Sequence, residues 1–271
     1  MRILLSFLCT TLLMLSFVPG GIAAQGREGS PDIQRIIDKG KMTVALVNND
    51  RYPFFMTTKG RQLTGFDIDL ARDIASRLGV RVEFNRKAKT FDEVIDIVAN
   101  KEADLGISNL TATLKRAKQV HFTRPYLVIK NYLLVNRKGL GRHRGLSVGE
   151  MANQRGVKIL AEEGSSYMDF SSRTFPLAKI VSHKDRDRAI HAVLKNEAFA
   201  LYESEDFIKT LFKNSPELYL YLDYLAIDGV KDTIAIAVHW ENLHLLSWLD
   251  LYLKTVWPDA TIDDILKKYP N

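Results

Sequence analysis

The chain has 271 residues, enough for one large domain or for two lobes with separate cores. At 46% hydrophobic and 26% charged it has the composition of an ordinary globular protein, with no low-complexity tract and no internal repeat, which excludes fibrous and disordered classes. The formal charge of +6 does not indicate nucleic acid: basic residues are spread along the chain, and the one dense cluster, "RKGLGRHR" (137–144), holds two glycines and no aromatic to stack on a base.

At the N-terminus Arg2 precedes the apolar run "ILLSFLCTTLLMLSFV", followed by Pro19, Gly20, Gly21 and the small residues of "IAAQG". A charged region, an apolar region and a small-residue cleavage site predict a signal peptide over 1–24, cut after Ala23 or Ala24, and hence an exported, periplasmic protein. The run is shorter than the ~20 residues of a spanning helix. The only cysteine, Cys9, falls inside it behind Phe7 and Leu8, not behind the small residues of a lipoprotein site. Cleavage would leave a chain without disulfide, thiol nucleophile or thiolate metal site.

Beyond that segment, strand-like and helix-like patterns alternate. "MTVALV" (42–47) has the near-continuous apolar character of a buried strand. "GFDIDLARDIASRLG" places Ile68, Ala71, Ala75 and Leu78 on one helical face and ends on Gly79. "VRVEF" (80–84) alternates as a strand, and Thr90 with Glu93 predicts a capping box opening "FDEVIDIVANK". Residues 104–107 make a third strand. The order β-α-β-α-β implies parallel pairing with helical crossovers.

In open α/β sheets ligands sit beyond the carboxyl ends of the strands. Ser108, Asn109 and Thr111 stand at such an end, and "TLKRAKQV" predicts a short helix capped by Thr113 with Arg116 in its first turn. Hydroxyls, an amide and a planar guanidinium, which can hold a carboxylate in two parallel hydrogen bonds, suit an anion; a polar turn with a surface arginine fits the same residues.

"GFDIDLARDIASRLG" and "DLGISNLTATLKRAKQVHFTRPY", continued by "GSSYMDF" and "DTIAIAVHWENLHLLSWLDLYL", resemble the extracellular solute-binding proteins of amino-acid ABC transporters, the polar amino-acid family (bacterial solute-binding protein family 3). The resemblance implies an α/β, two-lobed periplasmic-binding-protein fold, each lobe a mostly parallel sheet flanked by helices, joined by two hinge strands. Lobe one would be 30–128 plus 231–271 and lobe two 129–230, with crossings near "YLVIKNYLLV" (126–135) and "VKDTIAIAV" (230–238). Lobe two would carry a capping box at Ser147 and Glu150, the strand "VKILA", the helix "DRDRAIHAVLKN" and the strand "FALY".

By the same resemblance Arg116 grips a ligand's α-carboxylate, helped by Ser108, Asn109 and Thr111 and, from lobe two, by Ser165 and Ser166. Tyr52 and Phe91 would sandwich the ligand's side chain. One departure stands out. Family members carry an aspartate for the α-ammonium at the end of a lobe-two strand; here "EAFALYESED" puts Tyr202 at that position and Glu203 next to it. Neighbouring strand residues face opposite ways, so either Glu203 swings in at the strand end or the ligand lacks a free amine. Asp50 and Arg51, beside Tyr52, point to basic and acidic ligands respectively.

The expected function is therefore capture of a small amino acid or related carboxylate by a monomer that delivers it to a membrane permease. No cofactor, metal or nucleic acid is implied: the histidines, among them His121, His183, His191, His239 and His244, lack metal-ligand spacing. Two alternatives accompany this expectation. One is a ligand-binding partner of a membrane sensor. The other is an enzyme resembling cyclohexadienyl dehydratases, acting on prephenate or arogenate with Glu203, Glu205 or Glu162 as general acid.

Overall fold

The computed structural model describes residues 30–141 and 145–270; the expected signal peptide and the end of the basic cluster lie outside the described residues. The first half of lobe one runs α1 (Pro31–Asp38), β1 (Lys41–Val47), a small hairpin β2 (Met56–Thr57) and β3 (Leu63–Thr64), α2 (Phe66–Arg77), β4 (Arg81–Ala88), α3 (Phe91–Ala99) and β5 (Leu105–Gly106). A loop with one 3₁₀ turn at Arg116–Lys118 leads to β6 (Val120–Phe122) and β7 (Leu127–Ile129). Lobe two follows as β8 (Asn131–Asn136), α4 (Arg137–Leu140), α5 (Val148–Ala152), β9 (Lys158–Glu162), α6 (Ser166–Thr174), β10 (Lys179–His183), α7 (Arg186–Leu194), β11 (Ala200–Ser204), α8 (Glu205–Asn214) and β12 (Leu222–Ala226). The chain returns through β13 (Asp232–Ile234) to β14 (Ala237–His239), α9 (Leu243–Thr255) and α10 (Ile262–Lys268).

The two sheets repeat one plan. The first has the order β4-β1-β5-β14-β6 and the second β10-β9-β11-β8-β12. In the first, β14 is antiparallel to both neighbours and β1 is parallel to both of its own, so four of five strands share a direction. In the second, β8 is the reversed strand. The sheets are thus mostly parallel, and each reversed strand is the first one after the chain has crossed between lobes. An arriving chain enters its sheet from the crossing side, whereas the strands with helical crossovers run towards that side. The crossings themselves, β7 and β13, pair antiparallel, with Asp232 opposite Ile129 and Ile234 opposite Leu127.

Local signals hold where the sequence carried them. Thr90 Oγ1 accepts from the Glu93 N–H at 3.2 Å, although the Glu93 carboxylate turns to the Lys89 N–H, so half of the expected box forms. The Ser147–Glu150 box is complete. Leu245, Leu249 and Tyr252 on α9 are buried in the core of lobe one, and Trp248 stacks on Tyr252 at 5.8 Å. Lobe two packs two apolar clusters, one on each face of its sheet, around Leu133 and Tyr202 and around Leu134 and Leu201.

Candidate ligand-binding site

A cavity of about 230 Å³ lies between the carboxyl ends of the two sheets. Lobe one lines it with Asp50, Arg51, Tyr52 and Phe54 after β1, Phe91 at the start of α3, and Asn109, Thr111 and Arg116 after β5. Lobe two adds Glu162, Ser165, Ser166 and Tyr167, then Arg186, then Ser204, Asp206, Phe207 and Thr210.

The first loop is held by backbone contact. Gly65 has φ +125°, and a Cβ there would stand 2.3 Å from the Phe54 carbonyl oxygen, so only glycine lets the two segments meet. The Asp67 N–H then donates to the Phe54 carbonyl at 2.9 Å. The buried Asp67 carboxylate ties the site to the crossing, accepting from the Asn109 N–H and, at 2.9 Å, from the Tyr126 hydroxyl. Burial pushes its pKa up to about 7 against the pull of both hydrogen bonds. Asn109 itself sits at φ +47°, a conformation that asparagine tolerates better than most residues.

Arg116 is almost fully buried and braced on three sides. Its Nε donates to Asp92 at 3.0 Å, Nη1 to the Thr111 carbonyl at 3.1 Å and Nη2 to the Gly164 carbonyl of lobe two at 3.3 Å. A guanidinium has five N–H groups, so one on each terminal nitrogen is left for a ligand. Burial pulls its pKa down against the pull of Asp92, yet an arginine keeps its proton. The Thr111 segment is laced to β13 by hydrogen bonds from Ala112 N–H to the Thr233 carbonyl and from Ala235 N–H to the Leu110 carbonyl. Across the cleft, Ser166 Oγ donates to Thr111 Oγ1 at 2.9 Å, while Ser165 caps α6, accepting from the Tyr167 N–H at 3.2 Å.

Of the ten residues singled out from the sequence, Tyr52, Phe91, Asn109, Thr111, Arg116, Ser165 and Ser166 line the cavity. Three do not. Ser108 is buried, its Oγ accepting from the Val47 N–H at 3.1 Å, and buckles β1 to the strand-end loop. Tyr202 packs into lobe two against Tyr167, ring centroids 5.2 Å apart. Glu203 does not swing into the cleft: β11 keeps regular pairing with β8 through Ser204, so its side chain stays on the opposite face from Tyr202. There it is fully buried and accepts from Arg186 Nε at 2.7 Å. Burial pushes the Glu203 pKa up to about 7, with Arg186 opposing. The face of Phe91 is held by the Arg51 guanidinium, 5.2 Å from the ring centroid, and the Tyr52 hydroxyl donates to the Tyr269 carbonyl at 2.6 Å.

The residue that sequence reasoning missed is Asp206. It stands in the first turn of α8, buried, and its Oδ1 has no hydrogen-bond partner among the described residues. Burial raises its pKa to about 6. Asn109 Oδ1 is likewise buried and unpartnered, so two unsatisfied acceptors belong to residues that line the cavity with Arg116. The legible signal was an acidic pair, Glu205 and Asp206, just past a strand's carboxyl end. Among the histidines, His239 accepts from the Glu241 N–H in a turn.

A donor pair and a buried acid thus line one cavity between two lobes of this topology. Residues 43–271 match the bacterial extracellular solute-binding proteins, family 3. The chain belongs to that family. Among its relatives is a probable histidine-binding protein of Campylobacter jejuni, 28% identical over 84% of this chain and 85% of the relative. The crystal structure of the ancestral amino acid-binding protein AncCDT-1, a precursor of cyclohexadienyl dehydratase, aligns with a TM-score of 0.70 and 26% identity over 88% of this chain and 99% of its own. The amino acid ABC transporter substrate-binding protein AbpA of Streptococcus pneumoniae, bound to L-arginine, aligns with a TM-score of 0.70 and 27% identity over 87% of this chain and 97% of its own. As a family 3 protein, this chain is a two-lobed solute-binding protein.

Proposed function

We propose that this solute-binding protein captures an α-amino acid between its lobes and delivers it to a membrane permease of an ABC transporter. The observation that carries the reading is the pairing, in one cavity, of two uncommitted Arg116 N–H groups with the unpartnered carboxylate oxygen of Asp206. The first suits an α-carboxylate, with Thr111, Ser165 and Ser166 beside it in the cavity lining. The second, with Asn109 Oδ1, suits an α-ammonium and replaces the acid that Tyr202 displaces. Lobe one as 30–128 plus 231–271 and lobe two as 129–230 put β7 and β13 at the hinge. Among the described residues, polar contacts that cross the cleft include Ser166–Thr111, Arg116–Gly164, Arg51–Glu162, and Lys209 Nζ to Asp263 at 2.7 Å. They support a closed state that a ligand favours by touching both lobes at once.

The test is a thermal-shift and calorimetric screen of the mature protein against the amino acids, their deaminated analogues and prephenate. An α-amino acid should raise Tm while its 2-hydroxy or deaminated analogue does not. Binding only of acids without the amine would remove Asp206 from the site. Release of phenylpyruvate from prephenate would put the dehydratase reading first, with Asp206 as the acid: Glu203 is buried against Arg186, Glu205 is paired with Lys209 at 2.8 Å, and Glu162 lies between two guanidinium groups.

A further inference from the structure

We propose that Arg51 sets the ligand class: by filling the side-chain end of the cavity it selects amino acids whose side chain ends in an oxygen acceptor, an amide or a carboxylate, and rejects basic ones. The inference rests on the amino-acid-binding reading above.

A site for a basic side chain needs an aromatic face and a free carboxylate. Both are present here and both are taken by the protein itself. Arg51 lies over Phe91 and pairs across the cleft with Glu162 Oε1. The other Glu162 oxygen is 3.7 Å from Arg186, whose guanidinium also pairs with Glu203 and lies 4.3 Å over Phe207. Asp50, the other acid near Phe91, is occupied by the Thr57 N–H at 2.8 Å and by Arg86 at 2.9 Å. A ligand guanidinium or ammonium would therefore meet two fixed cations in a partly dry cleft, where like charges repel more strongly than in water.

What the side-chain end lacks is an acceptor. Arg51 Nε is buried and has no hydrogen-bond partner among the described residues. Leaving a charged donor unmatched in a closed cleft is unfavourable, and a ligand side-chain carbonyl or carboxylate brought against Arg51 would supply the missing oxygen. Sites that hydrogen-bond a ligand group discriminate strongly against analogues lacking it. The unpartnered buried acceptors among the described cavity residues, Asn109 Oδ1 and Asp206 Oδ1, are accounted for by the α-ammonium, which leaves none of them for a second cation on the ligand.

The experiment is titration calorimetry of the mature protein with L-glutamine, L-glutamate, L-arginine and L-lysine, repeated with Arg51→Ala and Arg51→Gln. The better of glutamine and glutamate should bind wild type at least about tenfold more tightly than arginine or lysine. Either substitution should lower that affinity by about tenfold and raise the affinity for arginine, which then reaches Phe91 and Glu162. The wild-type ranking tests the idea even if a variant fails to fold. Tightest binding of arginine or lysine by wild type, or an unchanged ratio in both variants, overturns this inference and leaves the amino-acid reading standing. Binding of none of the four, with no other α-amino acid bound, overturns both.

Discussion

In lobe one, the arginine we assign to the ligand carboxylate lies five residues beyond the loop that braces it: Arg116 rests on the Thr111 carbonyl, and its own helical turn is capped by Thr113 Oγ1 at 3.2 Å. In lobe two, the acid we assign to the ammonium belongs to α8, the Arg186 guanidinium that lines the same cavity to α7, and a partner of that guanidinium, Glu162, to β9. Two sheets of the same strand plan thus equip the cleft differently. One half is a local motif, whose parts are neighbours in the chain. The other is a meeting of three strand ends, whose parts are neighbours only in space. A local motif survives sequence divergence as a recognisable string, whereas a tertiary cluster can move its acid from one element to the next while keeping it in the same cavity.

The contrast can be tested one half at a time. Arg116→Ala should abolish measurable affinity, a loss of about 100-fold or more, since a buried guanidinium making two charge-assisted hydrogen bonds contributes roughly 3 kcal/mol. Calorimetry reads this directly, and a loss below tenfold would mean that the carboxylate sits elsewhere.

Asp206→Asn should weaken α-amino-acid binding by roughly tenfold to 100-fold and leave deaminated analogues unaffected. It should also act on stability in the opposite sense. The Asp206 carboxyl is raised from 3.8 to about 6 by burial, so the native state holds a proton that the unfolded chain releases. Stability of the ligand-free protein therefore falls as pH rises from about 4 to about 6, and Asp232 and Glu203, both pushed to about 7 by burial, extend the fall to neutrality. Asparagine carries no such proton. The variant should be more stable than wild type at pH 8, by on the order of 3 kcal/mol, and close to it near pH 4. Urea unfolding at the two pH values checks this, and a variant less stable at pH 8 would show that the ionised carboxylate is satisfied in the native state.

The smallest effect concerns the seam between the halves. A Cβ on Gly164 would lie 2.6 Å from Thr90 Cβ across the cleft, at φ +68°. Gly164→Ala should cost about 1 kcal/mol of stability from the backbone alone. It should also reduce affinity about tenfold further by holding the lobes apart. An affinity unchanged from wild type would show that the lobes close without that contact.

Signals made by residues close in sequence were legible and held. The strands around "MTVALV" and "VKILA", the caps at Thr90 and Ser147, the amphipathic face of α9 and the Arg116 loop depend on spacing along one or two elements. Seven of the ten residues picked for the site reach the cavity because strand-end loops carry them there. Ser108 failed because a hydroxyl at a strand end serves equally well as a structural buckle, here to Val47. Tyr202 failed because its register faces the core of lobe two. Tyr52 reaches the cavity, but the place over Phe91 is taken by its neighbour Arg51, a choice of one residue that no periodicity in a short loop decides.

From the order of residues alone follow the two-lobed α/β plan and the family, and the loop that carries Arg116 to the cavity, because motifs, capping and loop spacing are properties of contiguous chain. Tertiary structure alone decided that Glu203 turns away to Arg186, that Asp206 turns in, and that Arg51 lies on Phe91 against Glu162. Those outcomes depend on which buried charges meet across strands and lobes. A buried charge takes the partner that packing brings within reach, and distance along the chain says little about that.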